Sequence, residues 1–249
     1  MMSHQVLATG GKYVELDGVA LMIDPGPGTL VYANERGIDC DELDGVLLSH
    51  LHPDHSTDTS AVLDGIDQEH FLIAERHCLR PSKDYYPCVT KYHQKACPHV
   101  FAVKGGERIK IAGLTIRTIE ARHYAPCVGF RIDGTKSIGY AADGAYHAKQ
   151  SRFFSGCDVL ILNPLVPSGE VSRSLGHMSI DEIVVMLKRM KKKPRLTILQ
   201  HFGFWMLKYG IHEQARLAAR RTRCNVIAAR DFMDVNVDTL KTRIAPLAR

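Results

Sequence analysis

The sequence predicts an α/β domain: short β-branched runs recur along the chain, helical patterns alternate with strands in the second half, and 45% apolar residues suffice for a substantial core. The 249 residues contain no internal repeat, low-complexity tract or Gly/Ser linker, so residues 1–249 are expected to form a single domain.

Strands are expected at Val19 to Ile23, Val46 to Leu48, Leu114 to Ile119, Val128 to Ile132, Val159 to Leu162 and Leu196 to Leu199. Ser179 and Glu182 form a capping-box pattern, and Ile180, Ile183, Val184, Leu187 and Met190 repeat at helical spacing behind it. That helix is expected to run to about Lys193, because Pro194 follows. A second helix is expected over Ile211 to Arg221, with a short strand after it at Asn225 to Ala228. Strands thus come first in meanders and later alternate with helices. The polar, aromatic stretch at about 76–99, holding Cys78, Cys88, Cys97, His77, His93 and His99, reads as an insertion or long loop. Its cysteines lack paired spacing, so an irregular lid is preferred over a structural metal site there. Tyr85, Tyr86 and Tyr92 could stack on a base, but packing of the loop is the preferred role.

A net charge of +5 permits nucleic-acid binding without indicating it. The basic groups at Lys188 to Lys193 and Arg216 to Arg223 read as solvated helix faces or C-terminal turns, where cations are favoured. Apolar runs such as Val159 to Leu162 fall far short of the ~20 residues that cross a bilayer. No signal-peptide pattern opens the chain, and the cytoplasm is the expected compartment. Seven cysteines, an odd number in a chain of this size, are expected to be reduced. A homodimer is the default assembly, with no interface legible in one chain.

The chemistry concentrates in Ser49-His50-Leu51-His52-Pro53-Asp54-His55, directly after an apolar strand. Residues two apart in an extended segment point the same way, so His50 and His52 can converge on one ion. Asp54 and His55, past the bend at Pro53, can address a second ion, as in two-metal hydrolysis. Imidazoles and a carboxylate suit zinc first, and also manganese or iron.

This motif resembles the signature of the metallo-β-lactamase superfamily. Leu21-Met22-Ile23-Asp24-Pro25-Gly26 is similar to the family's early strand and turn, and Asp44 to Ser49 to the strand feeding the motif. His123, Asp143 and His201 stand where the family places its later ligands. The resemblance implies a four-layer αββα sandwich binding two divalent metal ions, with zinc the first candidate. In it His50, His52 and His123 would hold the first ion, Asp54, His55 and His201 the second, and Asp143 would bridge them. Such a pair lowers the pKa of bound water and supplies hydroxide, which Asp54 would orient.

Gly176-His177-Met178-Ser179 is similar to the His-x-Ser/Thr element of the phosphodiesterase, ribonuclease Z-like branch, which implies leaving-group protonation or phosphate contact for His177. The stretch from Asp143 to His177 is too short for the long arm of transfer-RNA processing enzymes, which argues against dedicated transfer-RNA maturation. The expected activity is therefore a metallo-hydrolase acting on a small phosphodiester, cyclic phosphate or nucleotide. Thioester, lactone or lactam hydrolysis is the alternative enzyme reading, and a non-catalytic metal- or RNA-binding module the alternative outside enzymology.

Overall fold

The structure is a computed structural model that describes residues 3–6, 11–170 and 176–244. The chain divides into two compact units, residues 1–104 with 230–249, and residues 105–229.

In the first unit the strands are β1 (Ser3–Val6), β2 (Lys12–Leu16), β3 (Val19–Ile23), β4 (Gly45–Leu48), β5 (Phe71–Glu75), β6 (His99–Val103), β16 (Met233–Asn236) and β17 (Thr242–Ile244). They form one sheet in the order β17-β16-β1-β2-β3-β4-β5-β6. The meander β1 to β3 is antiparallel, and β3 to β6 run parallel. Every residue of β4 and β5 is buried, as expected for strands within a parallel sheet covered on its faces. Met22, Val46, Leu48, Leu72 and Ala74 share a core with Val62 and Leu63 of a helix over Thr59–Asp64.

The second unit holds β7 (Arg108–Ile111), β8 (Leu114–Glu120), β9 (Val128–Asp133), β10 (Ser137–Tyr140), β11 (Val159–Leu162), β14 (Leu196–Leu199) and β15 (Val226–Ala228), in the order β15-β14-β11-β10-β9-β8-β7. Again a meander, β7 to β10, precedes a parallel set, β10, β11, β14 and β15. The short strands β12 (Pro164–Val166) and β13 (Met178–Ser179) pair separately. The helices at Ile180–Arg189 and Ile211–Thr222 pack Ile183, Val184, Leu187, Ala215 and Ala218 into a core with Leu160, Leu162 and Leu199. Among the described residues no helix is long and apolar enough to cross a membrane.

The expected capping box is formed: Glu182 N–H donates to Ser179 Oγ at 3.1 Å, and Ser179 N–H to Glu182 Oε2 at 2.8 Å. Ser179→Ala is expected to cost about 1 kcal/mol, lowering the melting temperature by roughly 2–4 °C in a thermal melt. The helix does not continue to Lys193, however. It stops at Arg189, and Met190 is extended. The cause is tertiary: Lys192 N–H donates to Ser155 Oγ at 3.0 Å and Lys192 O accepts from Gly156 N–H at 2.8 Å, pulling the chain off the helical path before Pro194 acts. Lys193 Nζ turns back to the carbonyls of Leu187, Lys188 and Met190, a cation on the helix's open C-terminal end.

The stretch 76–99 is the crossover between parallel β5 and β6, and it carries short helices at Arg76–Leu79 and Lys91–Ala96 instead of a continuous loop. Glu75 and Thr90 cap those two helices, accepting from the backbone N–H groups of His77 and His93. Parallel strands need such a crossover, and helix is its usual filling. None of the His, Cys, Asp and Glu groups close enough to hold an ion among the described residues draws on this stretch. Packing describes Tyr85, which is partly buried against His77, but not Tyr86 and Tyr92, which are 89% and 67% exposed. All seven cysteines are free thiols; burial pushes the Cys157 thiol up to about 12.

Candidate metal centre

Parallel strands end at one edge, and loops leaving their carboxyl ends can converge there. In the first unit Ile23 of β3 pairs with Leu47 of β4, so Asp24 and Ser49 leave the sheet side by side. Ser49 N–H donates to Asp24 Oδ1 at 2.7 Å, and Ser49 Oγ–H to Asp24 Oδ2 at 2.6 Å. His52 is the extended residue before a one-turn helix, Pro53–Ser56, with proline at the first position, where its missing N–H costs nothing. That turn brings His55 back toward Asp24, 2.9 Å from Oδ2 through Nδ1.

These contacts assign ring protons. With Ser49 Oγ–H committed to Asp24, His50 Nδ1–H donates to Ser49 Oγ at 3.0 Å, which puts a lone pair on Nε2. His55 Nδ1–H likewise donates to Asp24, placing its lone pair on Nε2, 3.6 Å from Asp54 Oδ2. His50 Nε2 lies 3.1 Å from His52 Nδ1. That is near the roughly 3.3 Å expected between two ligand nitrogens on a tetrahedral ion with bonds of about 2.0–2.1 Å. The donor set therefore fits a metal.

Asp24 also falls within a group able to hold an ion, with His50 and His55. Its two oxygens are already engaged by Ser49 and His55, so it acts as the carboxylate that orients His55 from behind. Burial would raise the Asp24 carboxyl, but the His55 bond and the charges of Lys12 and the neighbouring imidazoles hold it well below the usual carboxylate range. Lys12 is itself fully buried.

In the second unit Tyr140 of β10 pairs with Ile161 of β11, and Ile161 with Ile198 of β14. Asp143, Asn163 and His201 each lie two or three residues beyond that row, at the same sheet edge. Asp143 is buried; its Oδ1 accepts from Asn163 Nδ2 at 2.7 Å, while Oδ2 lies 3.5 Å from His201 Nε2 and 3.7 Å from His177 Nδ1. Gln200 Nε2 donates to Asn163 Oδ1 at 3.3 Å and extends the chain of polar contacts inward. His123 Nδ1–H donates to Gly176 O at 2.8 Å, so its Nε2 carries the lone pair, and its ring meets the His177 ring edge-on at 5.0 Å. His123, Asp143 and His177 form a group able to hold an ion. The chain passes close at Gly176: a Cβ there would lie 2.6 Å from the Tyr124 ring and 3.3 Å from His123 Nδ1, so a larger residue would have to displace the Tyr124 ring.

Asp24, Ala142 and His201 all adopt left-handed backbone, with φ of 49°, 56° and 56°. Such non-glycine residues cost roughly 1–3 kcal/mol each and persist where surrounding structure over-determines them, commonly at functional sites.

The structure thus gathers His50, His52, Asp54 and His55 in one unit, and His123, Asp143, His177 and His201 in the other. Sequence reading missed Asp24 as a support for His55, and missed Lys12, Asn163 and Gln200 altogether. A signal existed for two of them: Asp24 and Asn163 each directly follow an apolar strand, as His201 nearly does.

The profile of the Beta-lactamase superfamily domain matches residues 20–202. The chain belongs to that superfamily of metallo-hydrolases and has the metallo-β-lactamase fold. It is 29% identical over 233 residues to an uncharacterized protein of Methanocaldococcus jannaschii, covering 91% of this chain and 86% of that one. It is 25% identical over 221 residues to the probable metallo-hydrolase YhfI of Bacillus subtilis, covering 86% of each. The crystal structure of YhfI aligns with a TM-score of 0.75 at 19% identity, over 94% of this chain and 98% of that one. Ribonuclease Z of Methanopyrus kandleri is 29% identical over 144 residues, 53% of this chain and 46% of that protein.

Proposed function

We propose that the protein is a dinuclear metal-dependent phosphodiesterase acting on a small phosphodiester, cyclic phosphate or nucleotide. His50, His52 and His123 would hold the first ion, Asp54, His55 and His201 the second, with Asp143 shared and zinc the first candidate metal. When bound, such ions lower the pKa of water and polarise a phosphoryl oxygen. The observation that carries the phosphodiester reading is His177, whose imidazole lies 3.7 Å from Asp143 Oδ2 and against the His123 ring. An imidazole titrates near neutrality, so His177 is suited to give a proton to the departing alkoxide oxygen. Asp54, with its side chain 51% exposed, accepts a hydrogen bond from the attacking water and orients it. Similarity to a ribonuclease Z and to a probable metallo-hydrolase supports the same reading.

The test is hydrolysis of bis(p-nitrophenyl) phosphate by zinc- or manganese-loaded protein, with metal content measured in parallel. Turnover is expected, and Asp54→Asn is expected to lower it about 100-fold or more. Absence of turnover in both loaded forms, with the metal retained, would overturn the phosphodiesterase reading in favour of carbonyl substrates such as thioesters or lactones.

A further inference from the structure

The second unit carries a groove of about 1480 Å³. Pockets that enclose small molecules are usually ~300–1,000 Å³, so this one is wide for a cyclic phosphate alone. Its lining includes five cations, Arg108, Arg117, Arg122, Lys149 and Arg152, against two carboxylates, Glu107 and Glu120. Arg117 is held by Asp133 at 2.7 Å, whereas no ion pair among the described residues engages Arg108, Arg122, Lys149 or Arg152, all of them exposed. Cations in excess of the carboxylates beside them repel one another in the isolated protein, and that repulsion is relieved when an anion with several charges binds. Aromatic surface accompanies the cations. Tyr124 is 61% exposed in the same wall, and the Arg117 guanidinium lies 5.8 Å from the centre of the Phe153 ring, also in the wall. His123 and Gly176 line the groove too, so it opens directly onto a residue of the proposed metal centre.

We infer that this groove binds the backbone of a short single-stranded nucleic acid, with bases against Tyr124 and Phe153, and delivers one of its phosphodiesters to the metal centre. The inference rests on the phosphodiesterase reading and narrows its substrate class. Cations spread over several elements match phosphates repeated along a strand, and exposed rings match unpaired bases, the combination typical of single-strand binding.

The experiment measures anisotropy of a fluorescein-labelled, cleavage-resistant phosphorothioate uridine decamer titrated with metal-loaded protein at several salt concentrations. Arg108→Glu with Arg152→Glu is expected to weaken binding at least tenfold. It should also flatten the salt slope by about 1.4, since each lost single-strand phosphate contact removes about 0.7. Turnover of bis(p-nitrophenyl) phosphate by the double variant should stay within about twofold of the parent, which also reports its folding. Equal affinity and slope in parent and variant would overturn the groove assignment, whatever the hydrolysis result. A duplex decamer bound as tightly as the single strand would overturn the stacking role. Loss of decamer binding in a variant whose melting temperature matches the parent's, with a parent that turns over no diester, would instead uphold the groove and reject the phosphodiesterase reading.

Discussion

Asp24→Ala is expected to destabilise the protein by about 3–5 kcal/mol, the range for removing one partner of a buried charged pair, and to lower metal affinity about 10- to 100-fold. The carboxylate is fully buried and accepts from Ser49 N–H, Ser49 Oγ–H and His55 Nδ1–H. Its loss leaves those buried donors without their acceptor and removes the favourable attraction between the carboxylate and the buried Lys12. Two effects then separate. Denaturant unfolding of metal-free protein reads the loss of stability, and metal titration of folded protein reads the loss of His50 and His55 orientation. Asp24→Asn keeps the shape but gives His55 the option of an N–H facing its own, so its metal affinity should fall even where stability partly recovers. Unchanged metal affinity in both variants would show that Asp24 supports the fold and not the centre.

His177→Ala is expected to reduce kcat about 100-fold or more on a diester with an alkoxide leaving group, with metal content and melting temperature unchanged. Leaving-group basicity decides the size of the loss. An alkoxide departs slowly unless protonated, whereas p-nitrophenolate is stable as an anion and needs little help. The variant should therefore lose far less on bis(p-nitrophenyl) phosphate than on a dinucleotide. A packing role for His177 would reduce both substrates alike, and equal losses would refute proton donation.

Much of this site is legible in the amino-acid sequence because its ligands are chemically rare in combination. His50 to His55 packs three imidazoles and a carboxylate behind an apolar strand, and few roles other than metal binding use that density. His123, Asp143 and His201 are single residues, readable only through resemblance to the family. The strands buried on both faces, such as Val159–Leu162 and Leu196–Leu199, stand out as apolar runs. The strands Lys12–Leu16 and Ser137–Tyr140 do not: one carries a buried lysine and the other a glycine, and neither looks like a core strand in isolation.

Local sequence settles part of the framework and the chemistry: the most apolar strands, such as Val159–Leu162 and Leu196–Leu199, where the capped helix begins at Ser179, and that His50 to His55 suits a metal. Those properties depend on neighbours within a few residues, so they survive without a fold. Which ring nitrogens face outward is settled by long-range contacts: Asp24 and Gly176 set the protons on His55 and His123 from 31 and 53 residues away, and the neighbouring Ser49 sets that on His50 only because its own hydroxyl is taken up by Asp24, 25 residues distant. Tertiary contacts also end the Ser179 helix early, through Ser155 and Gly156, and bring Arg108, Arg122, Lys149 and Arg152 into one wall although no run of basic residues marks them. Pairing across a sheet joins residues by register and not by spacing, and register is a property of the folded chain.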